Sequence, residues 1–169
     1  MKKIALLLFL AFAFISCKTY QLPKDNKEVI NQTLNDWHKA AAEANFEAYF
    51  APMAEDGIYI GTDATENWNK EAFKSFAKPY FDKGRAWNFT ALERNIFISE
   101  DGKTAWFDEL LDTQMKICRG SGVLKKIDGQ WKIAHYVLSM AVPNDNVDEV
   151  VKIKTPFDDK LMNTIKSKK

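Results

Sequence analysis

Glu109 and His135 are the residues of this chain whose types and expected positions suit proton-transfer chemistry. A positioned carboxylate or imidazole can act as a general acid or base, and an imidazole titrates near neutral pH without adjustment. Strand pairing predicts that both side chains lie in one row across a sheet, together with Arg94 and Gly122. Because Gly122 has no side chain, it would leave a gap in which a ligand could share a proton with Glu109 and His135.

The same row also has a purely structural interpretation. Arg94 and Glu109 would form a cross-strand ion pair, and His135 would pack with one hydrogen bond. Some such pairing is needed, because an unpaired charge on an apolar face is costly. A slip of one residue in any hairpin would instead move side chains to the other face and remove the row.

The pairing of Arg94 with Glu109 follows from the Asp-Gly pair at residues 101–102. Asp-Gly between two alternating segments is the strongest short signal of a hairpin. A two-residue turn at this point places Arg94 directly opposite Glu109.

The other half of the row depends on two further turns. A two-residue turn at the Asp-Gly pair 128–129 places Gly122 opposite His135. A turn at residues 115–116 in the middle hairpin, which has no Asp-Gly signal, would place Glu109 opposite Gly122.

Alternation of side chains then gives the sheet one apolar and one polar face. Apart from the charged row, the apolar face is predicted to carry Ile96, Ile98, Phe107, Leu111, Leu124, Trp131, Ile133 and Val137. The opposite face includes many charged residues and Tyr136. Its apolar patches, which could serve a partner subunit, are predicted at Val123, Leu138 and Met140.

Helical periodicity predicts that helices precede these strands. Apolar residues recur at steps of three and four over residues 27–44, the short helix "ANFEAYFA" follows, and "NKEAFKSFAKPYF" forms a third. The segment "GIYIG" predicts a short strand before the third helix. Helices followed by an antiparallel meander indicate an α+β domain whose helices cover the apolar face. His38 lies off the apolar stripe of the first helix and is expected to be solvated.

The composition is that of one globular domain. Its 24 Lys and Arg balance 23 Asp and Glu, which excludes the basic footprint of a nucleic-acid-binding protein. The 12 Phe, 5 Trp and 5 Tyr are many for 169 residues, and such rings fill a core or line an apolar cavity. Because no phosphate-binding, dinucleotide-binding or metalloprotease motif is present, we predict neither a cofactor nor a metal site.

The N-terminus is typical of a secreted bacterial protein. Residues 1–16 have the charged start and short apolar run of a signal peptide. "FISC" resembles a lipobox, although Phe14 stands where leucine is usual, and this resemblance implies lipidation at Cys17. Ordinary secretion and a retained anchor are the alternatives. Lipidation would anchor the protein to a membrane of the cell envelope through the polar tether 17–26, and Lys18 favours the outer membrane.

The element order and the segments "GIYIGTDATENW", "AWFDELL", "CRGSGVLKK" and "WKIAHYVLS" resemble the SnoaL-like branch of the nuclear transport factor 2-like (NTF2-like) superfamily. The resemblance covers residues 27–145 and leaves 146–169 as an extension with a possible helix near 156–165. It implies an α+β cone, in which a curved antiparallel sheet wraps around helices and leaves a pocket at its open end. It also implies a homodimer formed through the outer face of the sheet.

Three functions fit this family. The first is a lipid-anchored domain that binds a small, mostly apolar molecule in the cone. The second is an isomerase, cyclase or lyase in which Glu109 and His135 are catalytic, and the third is a non-catalytic scaffold of the envelope. The candidate ligand-binding residues on the inner wall are Arg94, Trp37, Tyr49, Phe107 and Trp131.

Overall fold

The computed structural model describes residues 25–168. The predicted signal peptide (1–16), the lipidation site Cys17 and the tether up to residue 24 lie outside the described residues. Among the residues that are described, no helix combines the length and the apolar character needed to cross a membrane.

Three helices precede the main part of the sheet, as the periodicity predicts. Each begins after a polar side chain, Asp25, Asn45 or Asn69, which accepts a hydrogen bond from a backbone N–H of the first turn. These caps replace hydrogen bonds that the first turn of a helix cannot make internally. The helices are α1 (Asn26–Ala42), α2 (Phe46–Phe50) and α3 (Lys70–Asp82).

Six strands form one curved sheet that does not close into a barrel, in the order β2-β1-β6-β5-β4-β3. Neighbouring strands are antiparallel except for β1 and β6, which run parallel. The strands are β1 (Met53–Ile60), β2 (Asn67–Asn69), β3 (Phe89–Ile98), β4 (Thr104–Thr113), β5 (Lys116–Ile127) and β6 (Gln130–Met140).

Two of the predicted pairings are confirmed. Arg94 on β3 lies opposite Glu109 on β4, and Ile127 lies opposite Gln130 across the Asp-Gly turn. In the middle hairpin, the turn falls at residues 114–115, one position before the predicted turn, because Thr113 pairs with Lys116.

The earlier turn changes which residues of β4 and β5 lie opposite each other, but it does not change the face of the sheet on which each side chain lies. Glu109 pairs with Gly120 rather than with Gly122, and Gly122 lies opposite Phe107. Because moving the turn by one position shifts the pairing by two residues, side chains stay on the predicted side of the sheet. Gly122 therefore does not provide the gap beside Glu109 that the sequence suggests.

A bulge in β6 overturns the prediction for His135. Leu124 pairs with Ile133 and Val123 pairs with His135, so Ala134 is an extra residue on β6. One extra residue reverses the alternation beyond it. Tyr136 and Leu138 therefore face the helices, and His135 and Val137 lie on the outer face.

The helices cover the predicted apolar face of the sheet, and their aromatic residues form much of the core with it. Buried side chains between the layers include Trp37, Tyr49, Phe73, Phe107 and Tyr136. After β6, a single 3-10 turn leads into α4 (Val147–Lys166), which extends well beyond the predicted 156–165. No side chain of α4 is buried.

Candidate functional site: a buried carboxylate and an aromatic pocket

The carboxylate of Glu109 is the centre of a buried polar cluster. Its Oε1 accepts hydrogen bonds from His38 Nε2 and from the Tyr136 hydroxyl, both at 2.9 Å. Its Oε2 accepts a hydrogen bond from Arg94 Nε at 2.8 Å and lies 2.7 Å from Arg94 Nη2. Arg94, His38, Tyr136 and Glu109 are called the Glu109 cluster below. The cluster joins α1, β3, β4 and β6.

Helix α1 also holds the far side of the Arg94 guanidinium. Nη1 donates to the backbone carbonyl of Asn31 at 3.2 Å, to its side-chain oxygen at 2.6 Å, and to the side-chain oxygen of Asn35 at 2.8 Å. The Arg94 side chain is 4% exposed and that of Glu109 is fully buried. The cross-strand ion pair that the structural interpretation predicts is therefore present, with additional partners from a helix.

Gly120 makes room for this cluster. A Cβ atom at this position would lie 2.8 Å from Glu109 Oε1 and would collide with the hydroxyl of Tyr136. Any side chain on β5 at this point would push the carboxylate and the phenol apart. The glycine beside Glu109 is therefore at 120 rather than 122, and the hydroxyl of Tyr136 fills the space that the sequence assigned to a ligand.

The partners keep Glu109 ionised and Tyr136 neutral. Burial by itself would raise the pKa of Glu109, but the hydrogen bond and charge of His38, together with the charge of Arg94, outweigh it and lower that pKa. Burial, reinforced by the neighbouring Glu109 carboxylate, raises the pKa of Tyr136 well above its usual value. A carboxylate has about four lone-pair directions. Three donor atoms hydrogen-bond to Glu109, and a fourth, Arg94 Nη2, lies 2.7 Å from it as an ion-pair contact.

A second feature is a cavity of about 210 Å³ between α3, β1, β2 and the β4–β5 turn, called the aromatic pocket. Seven rings line it: Tyr59, Trp68, Phe73, Phe76, Tyr80, Trp87 and Phe89. Trp68 stacks on Phe76 with ring centres 4.4 Å apart, and Phe73 stacks on Trp87 at 5.8 Å. Phe76 and Tyr80, which are 37% and 47% exposed, form its rim.

Polar groups reach the aromatic pocket from the loop after β1 and from the β4–β5 turn. They belong to Thr62, Glu66 and Gln114. The Glu66 carboxylate accepts a hydrogen bond from the backbone N–H of Asp63 at 3.1 Å, and Asp63 accepts one from the backbone N–H of Thr65 at 2.8 Å. Asp63 and Glu66 thus order the loop, as their positions before the third helix suggest.

Two aromatic rings separate the pocket from the Glu109 cluster. Tyr59 lines the pocket and stacks on Tyr136, with ring centres 5.5 Å apart. Phe89 also lines it and meets the His38 ring edge-on at 5.8 Å. Glu109 is not among the residues that line the aromatic pocket.

The family model described as "SnoaL-like domain" matches residues 30–143, which is more than half of the chain. The chain belongs to the SnoaL-like domain family. This SnoaL-like domain has no match among curated proteins.

Solved structures agree on the fold. An NTF2-like protein of unknown function from Pseudomonas putida is 17% identical, over 69% of this chain and 87% of its own, with a TM-score of 0.58. An NTF2-like protein from Cytophaga hutchinsonii is also 17% identical, over 69% and 99%, with a TM-score of 0.58. The association domain of C. elegans CaMKII is 20% identical, over 68% and 95%, with a TM-score of 0.57. The predicted α+β NTF2-like cone is confirmed.

The SnoaL-like domain brings together only part of the predicted site. Arg94 and Glu109 meet as expected, but His135 is partly buried on the outer face, beside Ile58 and Val123 of the neighbouring strands. His38, predicted to be solvated, is 4% exposed and takes the place expected for His135. Sequence reasoning also missed Tyr136, because the bulge at Ala134 has no signature in the sequence.

The predicted aromatic ligand-binding residues lie mainly in the core. Trp37 stacks on Tyr49 with ring centres 5.1 Å apart and meets Tyr136 edge-on at 4.8 Å. Phe107 is 3% exposed and packs 6.1 Å from the ring of Tyr136. Trp37 and Trp131 also border an open groove of about 450 Å³ near the β5–β6 turn. None of these residues lines the aromatic pocket.

The described residues offer no ready-made metal site. Across 25–168, no group of three or more His, Cys, Asp or Glu side chains is arranged around a common point.

Lys70, which is 5% exposed, donates to the backbone carbonyl of Met53 at 3.0 Å and to Glu55 at 2.7 Å. These contacts fasten α3 to β1 and thereby fix one wall of the aromatic pocket.

Proposed function

We propose that this SnoaL-like domain binds a small, mostly apolar molecule in the aromatic pocket. The observation that carries the proposal is a cavity lined by seven aromatic rings, with a few polar groups at one side. Binding sites for small molecules combine these two features, because rings supply contact area and a few polar atoms fix orientation.

The size and lining of the pocket narrow the class of ligand. Its volume of about 210 Å³ is below the range of about 300–1,000 Å³ that is typical for drug-sized ligands. Stacked walls such as Trp68 with Phe76 favour a flat ring. Glu66 offers a carboxylate acceptor, so a ring with one hydroxyl or amino group suits the site.

The hydrogen bonds of Glu109 and its separation from the aromatic pocket favour a binding function over catalysis. A general base needs a free lone pair and access to the substrate. The Glu109 carboxylate has four donor atoms against it, and Tyr59 and Phe89 stand between it and the pocket. The isomerase-type alternative would require this cluster to open.

The binding experiment uses p-cresol and indole as probes, detected by saturation-transfer NMR on the purified protein. Phe76→Ala should weaken binding by roughly 3- to 10-fold, because it removes a stacking wall. Phe97→Ala is the matched control, since Phe97 is an exposed ring on the outer face. Equal effects of the two substitutions, or no binding of either probe, would contradict the proposal.

The proposal includes a lipid anchor at Cys17 and a location in the bacterial envelope, on the outer membrane. Its support is the lipobox-like sequence at the N-terminus. Cys17→Ala should move the protein from the membrane fraction to the soluble fraction and abolish labelling by a radioactive fatty acid. Unchanged fractionation would refute the anchor and leave the binding function standing.

We also propose that the protein is a homodimer. Exposed apolar side chains outside the pocket support this, among them Phe97 and Trp106, which stack 5.8 Å apart on the outer face. One structurally similar protein is the association domain of C. elegans CaMKII. Sedimentation of the purified protein tests the stoichiometry.

A further inference from the structure

The aromatic pocket contains one charged side chain, that of Glu66. No lysine, arginine, histidine or other acid is among the described residues that line the pocket. Glu66 is partly buried, and within residues 25–168 it takes part in none of the ion pairs. Lys154 of α4 borders a neighbouring groove that Glu66 also borders, but its Nζ lies 3.0 Å from Asp158. The pocket therefore presents a carboxylate whose charge is not balanced by a cation of its own lining.

The loop after β1 fixes this carboxylate through one of its two oxygens. Oε2 of Glu66 accepts a hydrogen bond from the backbone N–H of Asp63 at 3.1 Å, and the backbone N–H of Glu66 donates to the Asp63 carbonyl at 3.0 Å. The carboxyl group lies against Gly61, where a Cβ atom would collide with Oε2. In the part of the chain that the structure describes, Oε1 accepts no hydrogen bond. It is therefore available to a donor on a ligand.

The loop needs an acceptor at this position but does not need a charge. The amide oxygen of a glutamine could accept the same hydrogen bond from Asp63. A carboxylate that is partly withdrawn from water loses hydration, and a nearby cation offsets that loss. The loop geometry thus accounts for the oxygen of Glu66, whereas its charge is explained by a cation that the ligand supplies.

The rings of the pocket favour the same sign of charge in a ligand. The faces of aromatic rings carry partial negative charge and attract ammonium groups. Burial, and after it the charge of Glu66, raises the pKa of Tyr59, so this carboxylate acts on one wall of the pocket. An ammonium group is attracted both by the rings and by Glu66, whereas an anionic group is repelled by both.

We propose that the ligand of the aromatic pocket is an organic cation, an amine whose ammonium group pairs with Glu66 while its apolar part lies among the rings. This inference rests on the proposed binding function and adds the charge of the ligand to it. The apolar part packs against the pair formed by Trp68 and Phe76, whose centres lie 4.4 Å apart. The volume of about 210 Å³ limits the ligand to one ring with a short amine-bearing chain.

Three probes that share one phenol ring separate charge from shape. They are the cation tyramine, p-propylphenol, in which a methyl group replaces the ammonium group, and the anion p-hydroxyphenylpropionate. Saturation-transfer NMR titrations of the purified protein near pH 7 give their dissociation constants. Tyramine should bind at least about 5-fold more tightly than p-propylphenol, because it gains a charged hydrogen bond and attraction to the rings. An uncharged apolar pocket would give the opposite order, because p-propylphenol has more apolar surface to bury.

Glu66→Gln removes the charge and keeps the acceptor for the backbone of Asp63. It should weaken tyramine binding by about 10-fold and leave p-propylphenol binding within about 2-fold, which also shows that the pocket is intact. Asp63→Asn is the matched control. It removes the same charge from the same loop, but Asp63 borders the neighbouring groove and does not line the aromatic pocket. It should change tyramine affinity by less than about 2-fold in buffer of about 0.15 M ionic strength, where more distant charges are screened.

The outcomes separate this inference from the binding function on which it rests. Wild-type protein that binds p-propylphenol or p-hydroxyphenylpropionate as tightly as tyramine refutes the cationic ligand and leaves the pocket as a binding site. Equal weakening of tyramine and p-propylphenol by Glu66→Gln also refutes it, because Glu66 would then only support the loop. Failure of all three probes to bind removes the proposed binding function as well.

Discussion

His38 Nε2 lies 2.9 Å from Glu109 Oε1 and so links the C-terminal half of α1 to the centre of β4, although 71 positions separate the two residues in the chain. Arg94 adds a second link, because its guanidinium contacts both Glu109 and two asparagines of α1. The helix layer and the sheet are therefore joined by charged hydrogen bonds as well as by apolar packing. Loss of any one partner of the Glu109 cluster should accordingly destabilise this domain, because the remaining buried charges would lack a partner.

Glu109→Gln should lower the free energy of unfolding by about 3–5 kcal/mol, because it leaves the buried Arg94 charge without a counter-ion. Urea unfolding followed by tryptophan fluorescence measures the change. Asp108→Asn removes a charge one residue away on the outer face, where its partner is Asn95, and should change stability by less than about 1 kcal/mol. Equal losses of unfolding free energy from Glu109→Gln and Asp108→Asn would mean that the Glu109 cluster contributes no more to stability than a polar pair on the outer face.

The two histidines of the chain should differ clearly in their contribution to stability. His38→Ala removes a buried ring and a hydrogen bond to a charged group, which should cost about 2–4 kcal/mol. His135→Ala alters a partly exposed position on the outer face and should cost less than about 1 kcal/mol. Denaturant midpoints of the two variants give the comparison. The reverse order would support the position that the sequence first suggests for His135, on the inner face in one row with Glu109.

The contrast between the histidines also shows how far the sequence predicts the site. The pairing of Arg94 with Glu109 follows from an Asp-Gly turn, because that turn fixes the register by its own backbone geometry. The register of β6 cannot be predicted in the same way. Nothing in the pattern of apolar and polar residues along this segment marks Ala134 as an extra residue. His38 could have been found, since it lies four residues after Leu34 and three before Ala41, on the same broad helix face.

The aromatic pocket was beyond sequence reasoning for a different reason. Its walls come from α3, β1, β2 and the β4–β5 turn, so its rings are distant in sequence. The high aromatic content indicates a filled core or a lined cavity, and the domain contains both. Trp37 and Tyr49 belong to the core, whereas Trp68 and Phe76 belong to the pocket, and only tertiary packing separates the two groups.

Gly120→Ala should destabilise the protein by about 1–3 kcal/mol, because the new methyl group meets Glu109 and the hydroxyl of Tyr136. Adding Tyr136→Phe removes the nearest of these atoms and should recover part of the loss. Urea unfolding should therefore show that Gly120→Ala costs less stability when Tyr136→Phe is also present than it does alone.

Gly122→Ala provides the control for this cycle. A methyl group at 122 meets the backbone carbonyl of His135 and the ring of Phe107 instead, so it should also be costly. Because neither atom belongs to Tyr136, Tyr136→Phe should not rescue it. Rescue of both glycine variants, or of neither, would show that space for the phenol is not the reason for a glycine at 120.

The lowered pKa of Glu109 predicts how stability depends on acid. The folded state holds the pKa of Glu109 below its ordinary value of 4.5, since His38 and Arg94 favour the carboxylate. The resulting stabilisation is complete above that value and is lost as the pH falls from about 4.5 through the folded-state pKa. In Glu109→Gln this contribution is absent at every pH. The difference in unfolding free energy between wild type and variant should therefore be constant near neutrality and shrink below pH 4.5.

Urea titrations of both proteins between pH 7 and 3 measure this difference. Exposed carboxylates such as Asp56 contribute equally to the pH dependence of both proteins, so their contributions cancel in the difference. A difference that stays constant down to pH 3 would mean that Glu109 is not held ionised by its partners in the folded state.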